Sequence, residues 1–276
     1  MTNTIAYWQE KVCLVTGGSS GLGLALASAW TRYGARVIIT GRRRDRLEQA
    51  AARLRETGGD VYPVVADGTR PEDVNRLLET VADRYGQLDL LCNCAGRSSR
   101  GAILDTQADD FQQLLDVNLL ATVRTTRAAA QLLLAGGGHL VNIGSLASKV
   151  APRYMGAYPA AKFAVAAYTQ QLRLELGPQG LHVLLVCPGP IARSQREDST
   201  SATRYAKQAQ NLPPKAVQPG GGAKVKNLDP DWLAKKILEA CRRRRCELVV
   251  PAKTRLLFAL AQISPRLGDW LLLRAT

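Results

Sequence analysis

The chain has 276 residues, 46% of them hydrophobic, with six cysteines, two histidines and a formal net charge of +14. With no C-x-x-C pair and only His139 and His182 as imidazoles, the composition argues against a disulfide framework and a metal site. We expect Cys13, Cys92, Cys94 and Cys187, which lie in or at the ends of apolar strands, to be reduced and to serve as small core residues. No nucleic-acid motif accompanies the positive charge, so we expect a protein that does not bind nucleic acid. The N-terminal segment lacks a signal peptide's apolar core, and no run reaches the ~18 apolar residues of a spanning helix, so we expect a cytoplasmic protein.

Residues 11–41 predict a strand, a glycine-rich turn, a helix and a second strand. KVCLVTG is a β-branched and apolar run, GGSSGLG follows it, LALASAWTRY has helical character, and Gly34 stands where a helix C-terminal glycine is expected before ARVIIT. Gly17, Gly21 and Gly23 let the backbone turn sharply and approach a ligand, and the helix N-terminus offers N–H groups to a diphosphate. The spacing G-x-x-x-G-x-G is related to the dinucleotide fingerprint without being identical to it.

Arginines follow the second strand. In the dinucleotide-binding pattern an acidic residue there binds the ribose hydroxyls of NAD, but this chain has Gly41 followed by Arg42, Arg43 and Arg44. A guanidinium matches a phosphate in charge and in its fork of donors, whereas cations are mildly unfavourable at a helix N-terminus. We therefore predict NADP(H), with Arg42 and Arg43 nearest the 2′-phosphate; the alternative is a solvated basic start of a helix.

Apolar strands alternate with helical segments along the chain, which predicts a single domain, residues 1–276, with a Rossmann-type, doubly wound α/β fold. The sheet should have about seven parallel strands with helices on both faces. The predicted strands are 11–16, 36–40, 61–65, 88–94, 139–144, 181–187 and 247–250. We expect Trp8, Trp30, Trp232 and Trp270 to be packing residues, and the two histidines to line or end strands.

The segment GSLASKVAPRYMGAYPAAK contains Ser145, Tyr158 and Lys162. A tyrosine and a lysine four positions apart in a helix share one face. An unperturbed tyrosine pKa is about 10, and a nearby cation lowers it, which favours proton exchange at neutral pH. Ser145, at the end of the strand HLVNIGS, could hydrogen-bond a substrate oxygen. This spacing predicts proton transfer to or from a carbonyl or alcohol oxygen.

Two later segments do not follow the alternation of strands and helices. Residues 190–228 are polar and contain Pro213, Pro214 and glycines 220–222, which predicts a mobile substrate lid or, alternatively, a disordered surface excursion. The tail, residues 252–276, holds the apolar runs LLFALAQI and WLLL, both too short to span a bilayer. The tail could pack on the domain, form a subunit interface or lie at a membrane surface with its arginines facing phosphates; the first two are favoured.

Together these segments resemble the short-chain dehydrogenase/reductase family over roughly residues 10 to 250. Thr16 to Gly23 fits T-G-x-x-x-G-x-G, and Ser145 with Tyr158 and Lys162 fits its catalytic serine and Y-x-x-x-K. Further matches are Asn93, Ala95 and Gly96 to N-N-A-G, Asn118 to the active-site asparagine, and CPGPI at 187–191 to the segment that passes the nicotinamide.

The resemblance implies a role for each member of the tetrad. Tyr158 would be the general acid in reduction, and Ser145 would steady the carbonyl oxygen. Lys162 would bind the nicotinamide ribose and lower the tyrosine pKa, while Asn118 would hold a water in a proton relay. The chain departs from the family pattern at Cys94, where a second asparagine is usual, and at Arg193, where many members have a threonine that contacts the carboxamide.

The resemblance also implies the cofactor contacts, with Asp67 placed near the adenine. They are Gly17, Ser19, Ser20, Gly21, Leu22, Gly23, Arg42, Arg43, Asp67, Asn93, Ala95, Gly96, Tyr158, Lys162, Pro188, Gly189 and Ile191. The expected activity is NADP(H)-dependent reduction of an apolar or lipid-like ketone or aldehyde, or the reverse, by a homodimer or homotetramer with possible peripheral membrane contact through the tail. The alternatives are a 3-ketoacyl thioester reductase and a non-catalytic NADP-sensing regulator.

Overall fold

The structure, a computed structural model, describes residues 6–192, 212–218, 222 and 225–275. Seven parallel strands form one sheet in the order β3-β2-β1-β4-β5-β6-β7. The strands are β1 Val12–Thr16, β2 Arg36–Gly41, β3 Asp60–Val65, β4 Leu90–Asn93, β5 His139–Ile143, β6 His182–Pro188 and β7 Glu247–Val250. The predicted seven-stranded parallel sheet is confirmed.

Helices connect consecutive strands and continue after β7. In the described part of the chain they are α1 Gly21–Arg32, α2 Arg44–Glu56, α3 Pro71–Tyr85, α4 Ala108–Leu115, α5 Ala121–Ala135, α6 Tyr158–Leu176, α7 Pro230–Arg242, α8 Thr254–Ile263 and α9 Pro265–Ala275. A π-helical turn, Asp116–Leu120, joins α4 to α5. None of the helices in these residues is long and apolar enough to cross a bilayer.

Both faces of the sheet are buried, because side chains alternate between two hydrophobic layers. Cys13 and Val15 of β1 face the layer formed with α1, α2 and α7. Val12 and Leu14 face the opposite layer, formed with α3 and α5. The predicted arrangement of helices on both faces is therefore confirmed.

The strand order reverses between β1 and β4. Open α/β sheets bind ligands at such a reversal, beyond the carboxyl ends of the strands. Thr16 at the end of β1 holds the two strands together there, because its Oγ1 accepts hydrogen bonds from the amides of Cys94 (3.0 Å) and Ala95 (3.1 Å). The residues that follow β1 and β4 therefore line the same crevice.

The tryptophans do not all pack in the core. Trp8 and Trp30 are fully buried, but Trp232 is 44% and Trp270 46% exposed. The expectation that Trp232 and Trp270 are packing residues is wrong, because each lies on the outward side of its helix, α7 or α9.

Candidate active site

Ser145 and Tyr158 come from two elements at the carboxyl edge of the sheet. Ser145 directly follows Gly144 after β5 and caps a 3₁₀ turn, where its Oγ accepts a hydrogen bond from the amide of Ala147 (3.1 Å). Tyr158 is the first residue of α6 and is half-buried against Leu114 and Ala161. The serine hydroxyl hydrogen is not used in its bond with Ala147, so it can be donated to an oxygen in the crevice.

Lys162 lies one helical turn after Tyr158 and is buried. Its Nζ is 5.9 Å from the centre of the Tyr158 ring and donates a hydrogen bond to the carbonyl of Ile143 at 2.8 Å. Burial lowers the pKa of Lys162 to about 8. The shared helix face predicted from the spacing is thus present, and α6 is anchored to the end of β5 beside Ser145.

Asn118 lies in the π-helical turn and is buried. Its Nδ2 donates to the carbonyls of Arg97 and Leu114, both at 2.9 Å, and its Oδ1 accepts from the amide of Arg97 at 3.2 Å. A Cβ at Gly96 would lie 2.7 Å from that Oδ1 and 3.6 Å from Nζ of Lys162. The Asn118 side chain therefore holds the loop after β4 close to Lys162, and both hydrogens of its Nδ2 are used in this way. Its part in a water relay stays a prediction.

The glycine-rich turn after β1 brings backbone N–H groups to the same crevice. Gly17 and Gly21 have φ of +70° and +51°, and a Cβ at Gly23 would lie 2.2 Å from the carbonyl oxygen of Gly17. Ser20 is the N-cap of α1, but its hydroxyl makes no capping hydrogen bond with the helix. The N-terminus of α1 would favour an anion in the crevice, because the helix dipole is positive at this end.

The other predicted contacts in this turn are Ser19 and Leu22. Leu22 is buried in the core, while Ser19 is half-buried, and a Cβ at Gly41 would lie 3.2 Å from its Oγ. Ser19 is therefore placed beside the end of β2, whereas Leu22 could contribute only its backbone.

Arg42 and Arg43 are exposed at the carboxyl end of β2, as the sequence predicts for a phosphate site. Arg42 Nη1 lies 4.0 Å from a carboxylate oxygen of Asp67, and Arg43 Nη2 lies 2.9 Å from one of Asp45. Asp67 follows β3 and accepts two hydrogen bonds from Thr69. Arg42 is predicted to contact the 2′-phosphate and Asp67 the adenine. The two residues lie at the carboxyl ends of the neighbouring strands β2 and β3.

Asn93 is placed differently from the other predicted cofactor contacts. Its side chain is buried, donates to Asn142 (2.9 Å) and Thr126 (3.0 Å), and accepts from Thr125 (3.0 Å). Its amide therefore stabilises the junction of β4 and α5 and does not point into the crevice. Ala95 and Gly96, which follow it, are exposed there.

Pro188 ends β6 and is buried, and the segment after it begins at the carboxyl edge of the sheet. The amide of Gly189 donates to the carbonyl of Val250 (2.7 Å), and Ile191 pairs with Leu228. Most of the predicted lid, including Arg193, lies outside the described residues. The pairing of Ile191 with Leu228 brings the two ends of that segment together.

Arg100 was not predicted from the sequence. It is buried, and its guanidinium donates to the carbonyls of Ser99 (2.8 Å), Ala216 (2.8 Å) and Gln218 (3.3 Å). The arginine therefore ties residues 214–218 to the loop after β4. The sequence shows an arginine in the loop after β4, but Ala216 and Gln218 lie more than a hundred residues away along the chain, so no local pattern indicates these contacts.

The two histidines also meet in a way the sequence did not indicate. The Nδ1 atoms of His139 and His182 lie 2.8 Å apart, Tyr7 Oη lies 2.6 Å from His139 Nε2, and His182 Nε2 lies 2.8 Å from the carbonyl of Arg245. Since a carbonyl only accepts, we assign the donors in order: His182 to Arg245, His139 to His182, Tyr7 to His139. Cys241 is near enough to make a three-ligand cluster, but each imidazole nitrogen already has a partner.

Comparison with known proteins identifies the family and the fold. The sequence pattern of short chain dehydrogenases matches residues 11–204. An uncharacterized oxidoreductase of Staphylococcus epidermidis is 33% identical over 205 residues, which cover 74% of this chain and 88% of that protein.

Two solved structures show the same architecture. A short-chain dehydrogenase/reductase from Burkholderia phymatum, solved with NAD, superposes with a TM-score of 0.81 at 24% identity, covering 94% of this chain and 95% of that one. L-sorbose reductase from Gluconobacter frateurii, solved with NADPH and L-sorbose, has a TM-score of 0.74 at 26% identity, covering 88% of this chain and 95% of that one.

Proposed function

The chain belongs to the short-chain dehydrogenase family of oxidoreductases, and we propose that it reduces an apolar or lipid-like ketone or aldehyde with NADPH, or oxidises the corresponding alcohol with NADP⁺. The observation that carries the proposal is the placement of Tyr158 and buried Lys162, with Nζ 5.9 Å from the ring centre, beside Ser145 at the end of β5.

The chain's own residues account for the proton transfer. The bound nicotinamide cofactor supplies the hydride to the carbonyl carbon, or accepts it in the reverse direction. In reduction, the Tyr158 hydroxyl donates its proton to the carbonyl oxygen, so that an alcohol and a tyrosinate form, and solvent returns the proton to the tyrosinate. The Ser145 hydroxyl donates a hydrogen bond to the same oxygen and orients it toward Tyr158. The Lys162 cation stabilises the tyrosinate electrostatically.

The choice of NADP(H) is supported by charge at the end of β2. Gly41 stands where an acidic residue would accept hydrogen bonds from an NAD ribose, and exposed Arg42 and Arg43 follow it. A 2′-phosphate beside them would gain charge-assisted hydrogen bonds. The solved structures include one with NAD and one with NADPH, so the choice rests on the arginines of this chain.

The preference for an apolar substrate is supported by the loop between β4 and α4. Ile103 and Leu104 are 65% and 92% exposed in this loop, which starts at the carboxyl end of β4 and also contains Arg97 and Arg100. A 3-ketoacyl thioester remains the alternative substrate, because the same residues serve its carbonyl. A non-catalytic regulator is disfavoured because it would have no need for both Tyr158 and Lys162.

The test is NADPH consumption by the purified protein with ketosteroids, retinal, long-chain ketones and acetoacetyl thioesters. We expect turnover of a lipid-like carbonyl that falls about 10²–10⁴-fold in Tyr158→Phe, because the general acid is lost. The matched control is Tyr154→Phe, which removes a tyrosine hydroxyl from the loop before α6 and should retain activity. Equal turnover by Tyr158→Phe and the wild type would refute the proton-transfer role, and reduction of thioesters alone would establish the alternative substrate.

A further inference from the structure

The C-terminal helices α8 and α9 form a hairpin that is fixed to the domain on one side. Phe258 is buried, and Leu257, Ala261 and Leu272 pack with it against the end of the sheet. A Cβ at Gly268 would lie 2.6 Å from Cβ of Ala261, so the two helices approach closely at this glycine. The tail is thus an ordered part of the fold, and its inner side accounts for the predicted packing.

The outer side of the hairpin leaves large apolar side chains in contact with solvent. On α8, Leu256 and Ile263 are 68% and 82% exposed and lie seven positions apart, on one face. On α9, Leu267, Trp270 and Leu273 are 39%, 46% and 55% exposed. Five exposed large apolar side chains on one short hairpin are more than the scattered single residues of an ordinary surface, and such a concentration marks a docking site for a protein or a membrane.

Cations surround these apolar side chains. Lys253, Arg255, Arg266 and Arg274 are all exposed, and Asp269 is the one acidic residue between positions 252 and 276. The Arg274 guanidinium carbon lies 3.9 Å from the centre of the Trp270 ring. Tryptophan and arginine occur at protein–protein interfaces as well as at the boundary between lipid headgroups and acyl chains. Four cations against one acidic residue would, however, repel a second copy of this surface and attract anionic phospholipid. The charge therefore favours an anionic bilayer as the occupant.

The hairpin also lies next to the catalytic edge. The cluster that holds Phe258 includes Leu146, which follows Ser145, and Cys187 near the end of β6. A protein docked through the hairpin would therefore have its crevice near the membrane surface.

We propose that the α8–α9 hairpin is a docking surface for anionic phospholipid membranes, with Leu256, Ile263, Leu267, Trp270 and Leu273 inserted at the headgroup boundary and the neighbouring cations on lipid phosphates. The hairpin lies on the membrane and does not cross it. The consequence that a carbonyl substrate dissolved in lipid reaches the crevice from the membrane rests on the proposed function; the docking itself does not.

The test is sedimentation of the full chain, without cofactor or substrate, with vesicles of phosphatidylcholine alone or mixed with phosphatidylglycerol. We expect binding to the mixed vesicles that weakens at high salt, because surface charges are screened. Each of Arg266→Gln and Arg274→Gln should lower the partition coefficient about fivefold on the anionic vesicles. Ile263→Gln combined with Trp270→Gln should lower it further on both vesicle types.

The matched control is Leu174→Gln, which changes a 66% exposed leucine on α6 and should not alter vesicle binding. Arg266 and Arg274 are exposed, so their substitution removes no buried contact of the hairpin. The test therefore remains valid if the double variant of Ile263 and Trp270 misfolds. Absence of binding to anionic vesicles, or binding unaffected by the arginine variants, would overturn the proposal. So would a change from oligomer to monomer in Ile263→Gln without vesicle binding, since the face would then be a subunit interface. Because no turnover is measured, these results do not depend on whether the reductase assay succeeds.

Discussion

Lys162 shows how a single residue reconciles burial with charge. Its ammonium is removed from water, which lowers its pKa to about 8, and it retains one backbone partner, the carbonyl of Ile143. Since an unperturbed lysine has a pKa of about 10.4, the unfolded chain binds more protons than the folded one between about pH 8 and 10.4, and stability rises through that window. At neutral pH the lysine remains mostly charged, so the cation that the proposed proton transfer uses is present.

Arg42 and Arg43 give a prediction at the residue scale. Arg42→Gln combined with Arg43→Gln should raise the Kd of NADPH about 10–100-fold, because a hydrogen bond to a charged group contributes about 1.5–3 kcal/mol and part of that is screened at an exposed site. The Kd of NADH should change little. Titration calorimetry with both cofactors measures the difference.

The control for this pair is Arg53→Gln, an exposed arginine at the far end of α2. It should leave both dissociation constants unchanged. Equal weakening of NADH and NADPH by the double variant would contradict a 2′-phosphate contact and would indicate a general effect of charge on the crevice.

At the scale of elements, three loops are linked in series around Tyr158. Arg100 binds the carbonyls of Ala216 and Gln218, and its neighbours Ser99 and Gly101 bond to Tyr154–Gly156, just before α6. Displacement of residues 214–218 would therefore be transmitted to the segment that begins with Tyr158. Arg100 acts as a positioning residue, because its guanidinium binds backbone carbonyls in the loop after β4 and in residues 214–218.

Arg100→Ala should release residues 212–218 while the sheet stays folded. We expect KM for the carbonyl substrate to rise more than kcat falls, and limited proteolysis near residue 215 to accelerate, since about 1–3 kcal/mol of charged hydrogen bonding is lost. Arg97→Ala, on the same loop but exposed, is the control and should change neither. Unchanged KM and proteolysis in Arg100→Ala would show that the segment is held by other contacts.

At the scale of the whole molecule, the sheet has the proposed catalytic residues at the carboxyl ends of its strands and a histidine pair at the amino ends of β5 and β6. His139 and His182 stand side by side in the register of β5 and β6 and are both buried. Burial lowers the pKa of His139 to about 3 and also lowers that of His182. The nearby cations Lys11 and Arg244 act in the same direction on His139, so the pair is neutral at physiological pH.

This pair predicts a pH dependence of stability. Because folding lowers both pKa values, the unfolded chain binds more protons than the folded chain below about pH 6.5. The free energy of unfolding should therefore decrease as the pH falls, by up to about 1.4 kcal/mol per pH unit for each histidine. Urea unfolding at about pH 7.5, 6 and 5, above the range where carboxylates titrate, measures the slope.

His139→Gln should be less stable at neutral pH but should lose stability less steeply on acidification, because one titrating group is gone. His182→Gln should behave in the same way. A slope between pH 6.5 and 5 that is the same in the wild type and both variants would contradict the neutral buried pair.

The sequence by itself determined the features that depend on local spacing. Apolar runs between turns predicted all seven strands, since burial on both faces requires nearly continuous hydrophobic segments. The helix repeat placed Tyr158 and Lys162 on one face wherever the helix lies, and the glycines after β1 set the turn whatever surrounds it. These predictions needed no knowledge of which strands are neighbours.

The tertiary structure decided which distant side chains meet and which faces remain exposed. Asn93 bonds to Asn142 and His139 pairs with His182 through strand order and register, which no local pattern contains. Arg100 reaches Ala216 because residues 214–218 lie against the loop after β4. Trp270 is a large apolar residue of the kind expected in a core, yet its side chain on α9 is exposed. The physical reason is that hydrophobicity specifies how much surface must be buried, whereas the geometry of packed helices and strands determines which surface that is.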